Sequence, residues 1–324
     1  MRALLLGGEA FIRHRLTRSL VHSGHDVTML GAGARGTDAD VHALGIDRAN
    51  AEAVAEALRA SDWDTIFDTE GFADASGVQS QIDQMEGRVG HLIYLTSTLA
   101  YDAANIGYFP WTEDMASDTA GPETVGGAMA LAERALLDQH NRTDFPVTIL
   151  RMCSVYGPEN DHLDMESATF ARLREGRPII VPHGGLVASS YGHVDDLCDA
   201  MMRVIGKRQA LGEVVNVSAD GVSAARYVTT LAEIVGVEPE IIHVPDALLA
   251  TVPAGAFPAC FEARHHALVS TEKLERLVGW PRYDLRSGHE HTYEWFAQQD
   301  WSGRLSARFT AEADWAARYR SAGS

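Results

Sequence analysis

The amino-acid sequence predicts an α/β fold, a doubly wound parallel sheet joined to a smaller carboxy-terminal lobe. Three observations predict it. An apolar run, Ala3 to Leu6, ends in Gly7-Gly8, as expected of a strand buried on both faces that meets a tight turn. Apolar strands then alternate with helical patterns as far as Met152, which indicates βαβ units. Beyond about residue 160 the segments become short and mixed, punctuated by Pro178, Pro182, Gly184-Gly185, Pro239, Pro245 and Pro253.

The elements follow in order. Arg2 to Leu6 forms the first strand. Phe11, Leu16, Leu20 and Val21 recur at helical spacing, and Gly24 ends that helix. His25 to Leu30 reads as a second strand, with a Gly/Ala-rich loop after it. Ala51 to Arg59 is helical, Trp63 to Asp68 and His91 to Leu95 are strand-like, and Ala128–His140 and Val147–Met152 complete the alternation. Residues 1–160 are therefore expected to form the sheet-bearing core. Residues 161–324 are expected to form a lobe interleaved with the end of the sheet, and the polar, Ala/Arg-rich 302–324 a peripheral helix with a loose end.

Composition narrows the function classes. Of 324 residues, 46% are hydrophobic and 22% charged, which is ordinary for a chain with a real core. No run of about eighteen apolar residues occurs, so no membrane span is expected. The opening strand is too brief for a signal peptide. Cys153, Cys198 and Cys260 have no paired spacing, which suits a reduced cytoplasm. The formal net charge is −18. Nucleic acid demands basic surface, so the expected partner is a small molecule and not a nucleic acid.

A strand, a glycine-rich turn and a helix in succession are the physical recipe for holding a pyrophosphate. Glycines let the backbone approach, and the helix start offers free N–H groups and a positive dipole end. Here the turn reads Gly7-Gly8-Glu9-Ala10-Phe11-Ile12-Arg13. It resembles the GGTGFIG or GGTRFIG turn of the extended short-chain dehydrogenase/reductases, a Rossmann-like fold. Gly7 matches the first of three patterned glycines, while Ala10 and Arg13 take the places of the other two. Two readings stay open: a dinucleotide turn, or a strand–helix turn that no longer binds one. The second strand ends in Leu30-Gly31-Ala32 without the acid that would bind ribose hydroxyls, and Arg35 follows closely. A bound dinucleotide is therefore expected to be NADP(H), with Arg13 or Arg35 facing the 2′-phosphate. The resemblance also implies cofactor contacts from Gly8, Phe11, Ile12, Thr69 and Asp47, the last as an adenine-contacting carboxylate or a solvated loop acid.

The family's chemistry needs a Tyr whose pKa is lowered by a Lys four residues later. The segment Val125-Gly-Gly-Ala-Met129-Ala-Leu-Ala-Glu133 resembles the family's Y-G-x-x-K-x-x-x-E. Val125 stands at the Tyr position and Met129 at the Lys position. A shift by one residue substitutes Gly126 and Ala130, so neither register restores the pair. Ser97, in Tyr94-Leu-Thr-Ser97-Thr98-Leu-Ala-Tyr101, matches the family's catalytic Ser, with Thr98 able to take the same part. Four further stretches carry the likeness over most of the chain: Arg151-Met-Cys-Ser-Val-Tyr156-Gly-Pro158, Tyr191-Gly-His193-Val-Asp-Asp196-Leu, Gly212-Glu-Val-Val-Asn216-Val, and Gly279-Trp-Pro-Arg-Tyr-Asp-Leu-Arg-Ser-Gly288. Val125, Met129, Tyr156, Tyr191 and His193 are the substrate-facing residues implied.

Other residues read as structural. His289 and His291, two apart on a helix, face different ways and cannot jointly hold a metal. His265-His266 read as exposed, Asp195-Asp196 as a helix N-cap, and Trp111, Trp295 and Trp301 as packing. No HExxH, CxxC, Walker or GxSxG motif occurs, so no metal is expected. The expectation is an NADP(H)-dependent reductase of a carbonyl on a polyketide-like secondary-metabolite scaffold. Its proton would come from water or substrate, and a homodimer would form through the Ala128–His140 segment. The alternatives are a cofactor-free cyclase, dehydratase or isomerase, and a non-catalytic binding protein. The latter rests on Trp63-Asp-Thr-Ile-Phe-Asp-Thr-Glu-Gly71, which resembles the WDxVVDxxGY of the chloroplast stem-loop-binding branch.

Overall fold

The computed structural model describes residues 1–7, 10–31, 41–70, 75–160, 165–258, 261, 263–279, 281–301 and 306–323. The chain groups into two compact units and crosses between them repeatedly. The first comprises Met1–Cys153, Val194–Ser218 and Val269–Pro281; the second comprises Ser154–His193, Ala219–Leu268 and Arg282–Ser324.

The first unit holds a seven-stranded parallel sheet. Its strands are β1 (Arg2–Leu6), β2 (Asp26–Leu30), β3 (Val41–Leu44), β4 (Thr65–Asp68), β5 (Leu92–Ser97), β6 (Val147–Met152) and β10 (Glu213–Val217), in the spatial order β10-β6-β5-β4-β1-β2-β3. Strand β3 and the helix α3 (Ala75–Met85) are additions to the elements read from sequence. β3 is a four-residue edge strand with half-buried residues, so it lacks the apolar run that marks its neighbours. α3 carries Gly77, Ser76 and Ser80 among its apolar positions, which blurs its stripe.

Helices α1 (Ala10–His22), α2 (Ala51–Arg59), α4 (Val125–Thr143), α6 (Val194–Arg203) and α8 (Glu272–Val278) complete this unit with α3. Helices α2, α3 and α4 pack on the sheet through Val54, Leu58, Val78, Ile82, Met85 and Leu136, over Leu4, Leu6, Ile66 and Tyr94. Helix α1 packs on α6, joined by Arg15 Nε donating to Asp195 Oδ1 at 2.8 Å. Asp195 and Asp196 lie inside the first turn of α6. They complement its dipole from within the helix, which corrects their reading as an N-cap.

The second unit carries a sheet β11-β9-β7 (Gly221–Ser223, Ala188–His193, Ser154–Tyr156) and a parallel pair β12-β8 (Ile241–His243, Ile179–Val181). Helices α5 (Glu166–Arg174), α7 (Ala224–Val235), α9 (Leu285–Phe296) and α10 (Ser306–Gly323) belong to it. α10 is anchored: Glu312 accepts from buried Arg172 Nε at 2.8 Å and Nη2 at 2.6 Å. The helix expected over the end of the chain is therefore present over Ser306–Gly323 and held near its middle. A pair this buried holds its partners in one arrangement, because separating them strands a charge. Among the described residues no helix is long and apolar enough to cross a membrane.

Candidate functional site

In open α/β sheets, ligands bind beyond the carboxyl ends of the strands where the strand order reverses. Here that point lies between β1 and β4. Gly7 follows β1 with φ +58°, a left-handed conformation that glycine adopts without steric cost. Thr69 follows β4 and ties the two strand ends together, its buried hydroxyl donating to the Gly7 carbonyl at 2.9 Å.

Charge at this switch point comes from β4 and from the loop after β3. Asp68, almost fully buried, accepts two hydrogen bonds from Arg48, from Nη1 at 2.8 Å and Nη2 at 2.6 Å. Burial by itself lowers the Arg48 pKa, but adjacent Asp68 outweighs it and holds the guanidinium above its ordinary value. A Cβ placed on Gly7 would lie 2.5 Å from Glu70 Oε2 and 3.4 Å from Arg48 Nη1. Asp47 is exposed and accepts from the Ala49 N–H at 2.9 Å.

Arg13, in the first turn of α1, is only 8% exposed. Its Nε is buried with no hydrogen-bond partner among the described residues. Its Nη1 would stand 2.9 Å from a Cβ built on Gly31, so the guanidinium covers the end of β2. Phe11 and Ile12, beside it, are buried in the core. Gly8, Arg35 and the Ala10 side chain lie outside the described residues.

The second cluster lies at the end of β5. Ser97, 8% exposed, accepts from the Leu99 N–H at 3.1 Å and so caps the 3-10 turn Thr98–Ala100. Its hydroxyl donates to Met129 Sδ at 3.3 Å. Thr98 is half-buried beside it. Helix α4 starts at the N-cap Thr124, which accepts from the Gly127 N–H at 3.0 Å. Its backbone presses against its surroundings: a Cβ on Gly126 would lie 2.3 Å from the Leu99 carbonyl oxygen. This register sets Met129 opposite Ser97 and leaves Val125 57% exposed. One strand position earlier, Thr96 donates to Glu133 at 2.6 Å, and Glu133 accepts from Arg151 Nε at 3.0 Å. That buried group fixes β5, α4 and β6 against one another.

Tyr156, Tyr191 and His193 belong to the second unit. Tyr156 stacks on His289 with ring centroids 3.7 Å apart, and its hydroxyl donates to the Asp284 carbonyl at 3.3 Å. A Cβ on Gly288 would lie 2.3 Å from that hydroxyl, so Gly288 makes room for the ring. Tyr191 stacks on Tyr227, and His193 packs edge-on to Tyr156. All three rings lie in the core of this unit. The sequence reading singled out Ser97, Met129, Thr69 and Arg13. It passed over Arg48, Asp68 and Glu70, whose signal was present as two carboxylates at a strand end.

A family model described as the NAD dependent epimerase/dehydratase family matches residues 3–218. The chain belongs to this family. The membership agrees with the motifs that resemble extended short-chain dehydrogenase/reductases, and with their Rossmann-like sheet. Among curated relatives, the chain is 30% identical over 316 residues to the chloroplast stem-loop binding protein of 41 kDa b from Arabidopsis thaliana, covering 90% of this chain and 78% of the relative. Family folds that it resembles include the NAD complex of dTDP-glucose 4,6-dehydratase from Bacillus anthracis, with TM-score 0.77 and 16% identity over 93% of this chain and 97% of that one. UDP-glucose 4-epimerase from Thermotoga maritima, solved with UDP-glucose, follows at TM-score 0.76 and 19% identity over 92% and 99%.

Proposed function

We propose that this family member is an NADP(H)-dependent reductase acting on a carbonyl of a polyketide-like secondary-metabolite scaffold. Arg13 is the observation that carries the reading. Its buried Nε, which has no hydrogen-bond partner among the described residues, carries a desolvation cost, and an arriving anion offsets it. At the end of β2, that anion is the 2′-phosphate of an adenine dinucleotide. Gly31, with no side chain, leaves the guanidinium its place. Gly7 and Thr69 shape the turn, with Gly8, Ala10, Phe11 and Ile12 beside it in sequence. The charge around Asp68 and Glu70 opposes a diphosphate, so the adenosine end supplies the better fit.

The dinucleotide, when bound, would supply hydride. Ser97 would orient the carbonyl. Thioether sulfur is a weak acceptor, so the Ser97 proton is readily redirected from Met129 to a substrate oxygen, while the Leu99 N–H holds the hydroxyl in place. Helix α4 carries neither Tyr nor Lys, so it brings no phenol–ammonium pair to this edge. The proton would then come from water or from a phenol of the substrate itself. Val125 and Leu99, both exposed, favour an apolar scaffold over a sugar. The cytoplasm as its location, and a homodimer through α4, belong to the same proposal.

The test is NADPH consumption with aromatic ketones that carry a free phenol beside the carbonyl, compared with their O-methyl ethers. The free phenols should turn over and the ethers should not. Ser97→Ala should lower kcat by about 10²-fold, as expected for loss of one oriented donor. Absence of consumption with every ketone would defeat the proposal. A second reading, stem-loop binding, is favoured by the identity to the chloroplast protein. The net charge of −18 opposes it. Retention of a labelled RNA stem-loop at moderate salt would turn the balance.

A further inference from the structure

The switch point between β1 and β4 holds two carboxylates, Asp68 and Glu70, where a diphosphate would lie on the proposed reading. Gly7 there leaves open the space that a side chain would fill, and that space is taken by the carboxylate of Glu70, with Oε2 2.5 Å from the Cβ position. Asp68, two residues earlier, occupies both arms of Arg48 in a bidentate pair, and it also accepts from the Glu70 N–H at 3.1 Å. One guanidinium therefore faces two carboxylates, and its geometric commitment is to Asp68.

We propose that Glu70 is an internal occupant of the pyrophosphate seat, holding dinucleotide affinity low until it swings away. The inference rests on the nucleotide reading of the crevice. The two acids differ in what they can do. Asp68 is buried and locked by Arg48, so it stays. Glu70 is half-buried on a longer side chain, so a rotamer change carries its carboxylate outward at small cost. Once it has moved, Arg48 Nη1, 3.4 Å from the same vacated point, is a cation that faces an arriving phosphate. A diphosphate approaching with Glu70 in place meets like charge at short range, which weakens binding in proportion to the ligand's phosphate charge.

The experiment is calorimetric titration of the full chain, as wild type, Glu70→Gln and Glu70→Ala, with adenosine, ADP and NADPH. Both variants should bind ADP and NADPH about tenfold more tightly than wild type does, the effect of one like charge near the surface. The gain should shrink as salt is raised, and adenosine, which has no phosphate, should bind all three proteins alike. Two variants of different volume separate loss of charge from altered packing. If ADP and NADPH bind wild type but bind the variants no more tightly, Glu70 is not the occupant and the nucleotide reading stands. If neither ligand binds any of the three proteins, the nucleotide reading falls, and this inference with it.

Discussion

Two buried arginines in the first unit make opposite uses of the same side chain. Arg151, on β6, meets Glu133 through Nε at 3.0 Å and Nη2 at 2.5 Å, and its guanidinium lies 4.3 Å from the Tyr101 ring centroid. Arg13, on α1, is as enclosed as a core residue, yet its Nε has no partner among the described residues. Folding tolerates a buried cation when its counter-charge is built in. On the proposed reading, a bound phosphate completes the open Nε of Arg13. Both keep one buried nitrogen without a partner among the described residues, Nη1 of Arg151 and Nε of Arg13; what separates them is the carboxylate of Glu133, which Arg151 meets.

Glu133→Ala should leave the Arg151 guanidinium buried without its carboxylate. Urea denaturation should show a loss of about 3–5 kcal/mol, the cost of stranding a buried charge. A loss near zero would mean that Arg151 gains little from its pair.

The next effect concerns two buried histidines. Burial holds His91 at about 4. Burial also holds His289 at about 3, with the Leu285 carbonyl opposing the shift and His193 adding to it. His91 sits between the Gly206 N–H and Thr148, and His289 between the Leu285 carbonyl and the Tyr227 hydroxyl. Both folded pKa values lie below the ordinary 6.5, so the unfolded chain takes up protons first as pH falls. Their contribution is whole above pH 6.5 and declines as pH falls from there towards 4 and 3. Stability should drop by about 2 kcal/mol between pH 6.5 and 5.5, from two groups each linked at up to ~1.4 kcal/mol per unit. His91→Asn should flatten that slope, as read from urea midpoints.

Arg13→Met carries the opposite sign to Glu133→Ala. Removing a buried cation whose Nε has no partner among the described residues, while keeping its length, should stabilise the ligand-free chain by about 1–2 kcal/mol. A destabilised variant would show that Arg13 has a structural partner. The smallest effect expected is that of Thr124→Ala, which removes the N-cap of α4 at a cost of about 1 kcal/mol. It should also loosen the turn that carries Val125.

Much of the sheet was legible because its strands are uninterrupted apolar runs. Arg2–Leu6 and Val147–Met152 appear in the structure with the bounds read from sequence, and Ala51–Arg59 is a helix over the same residues. Ser97 was singled out through the resemblance of Tyr94–Tyr101 to the family's strand end. Met129 was singled out by the same resemblance, at the family's Lys position in Val125–Glu133. The pairing of Arg48 with Asp68 was not legible: twenty residues separate them, and their contact arises only when β4 lies beside β1. The same holds for Gly288, whose lack of a side chain matters to Tyr156 across 132 positions of sequence (288 − 156).

If Arg13 seats the 2′-phosphate, calorimetry of the wild-type chain and Arg13→Met with NADPH and NADH, side by side, will show it. Wild type should prefer NADPH by about 10- to 100-fold, the span of a charge-assisted hydrogen bond worth ~1.5–3 kcal/mol, and Arg13→Met should lose that preference. Equal affinity of wild type for the two nucleotides, or a preference that survives in Arg13→Met, would contradict the assignment of Arg13 as the seat of the 2′-phosphate.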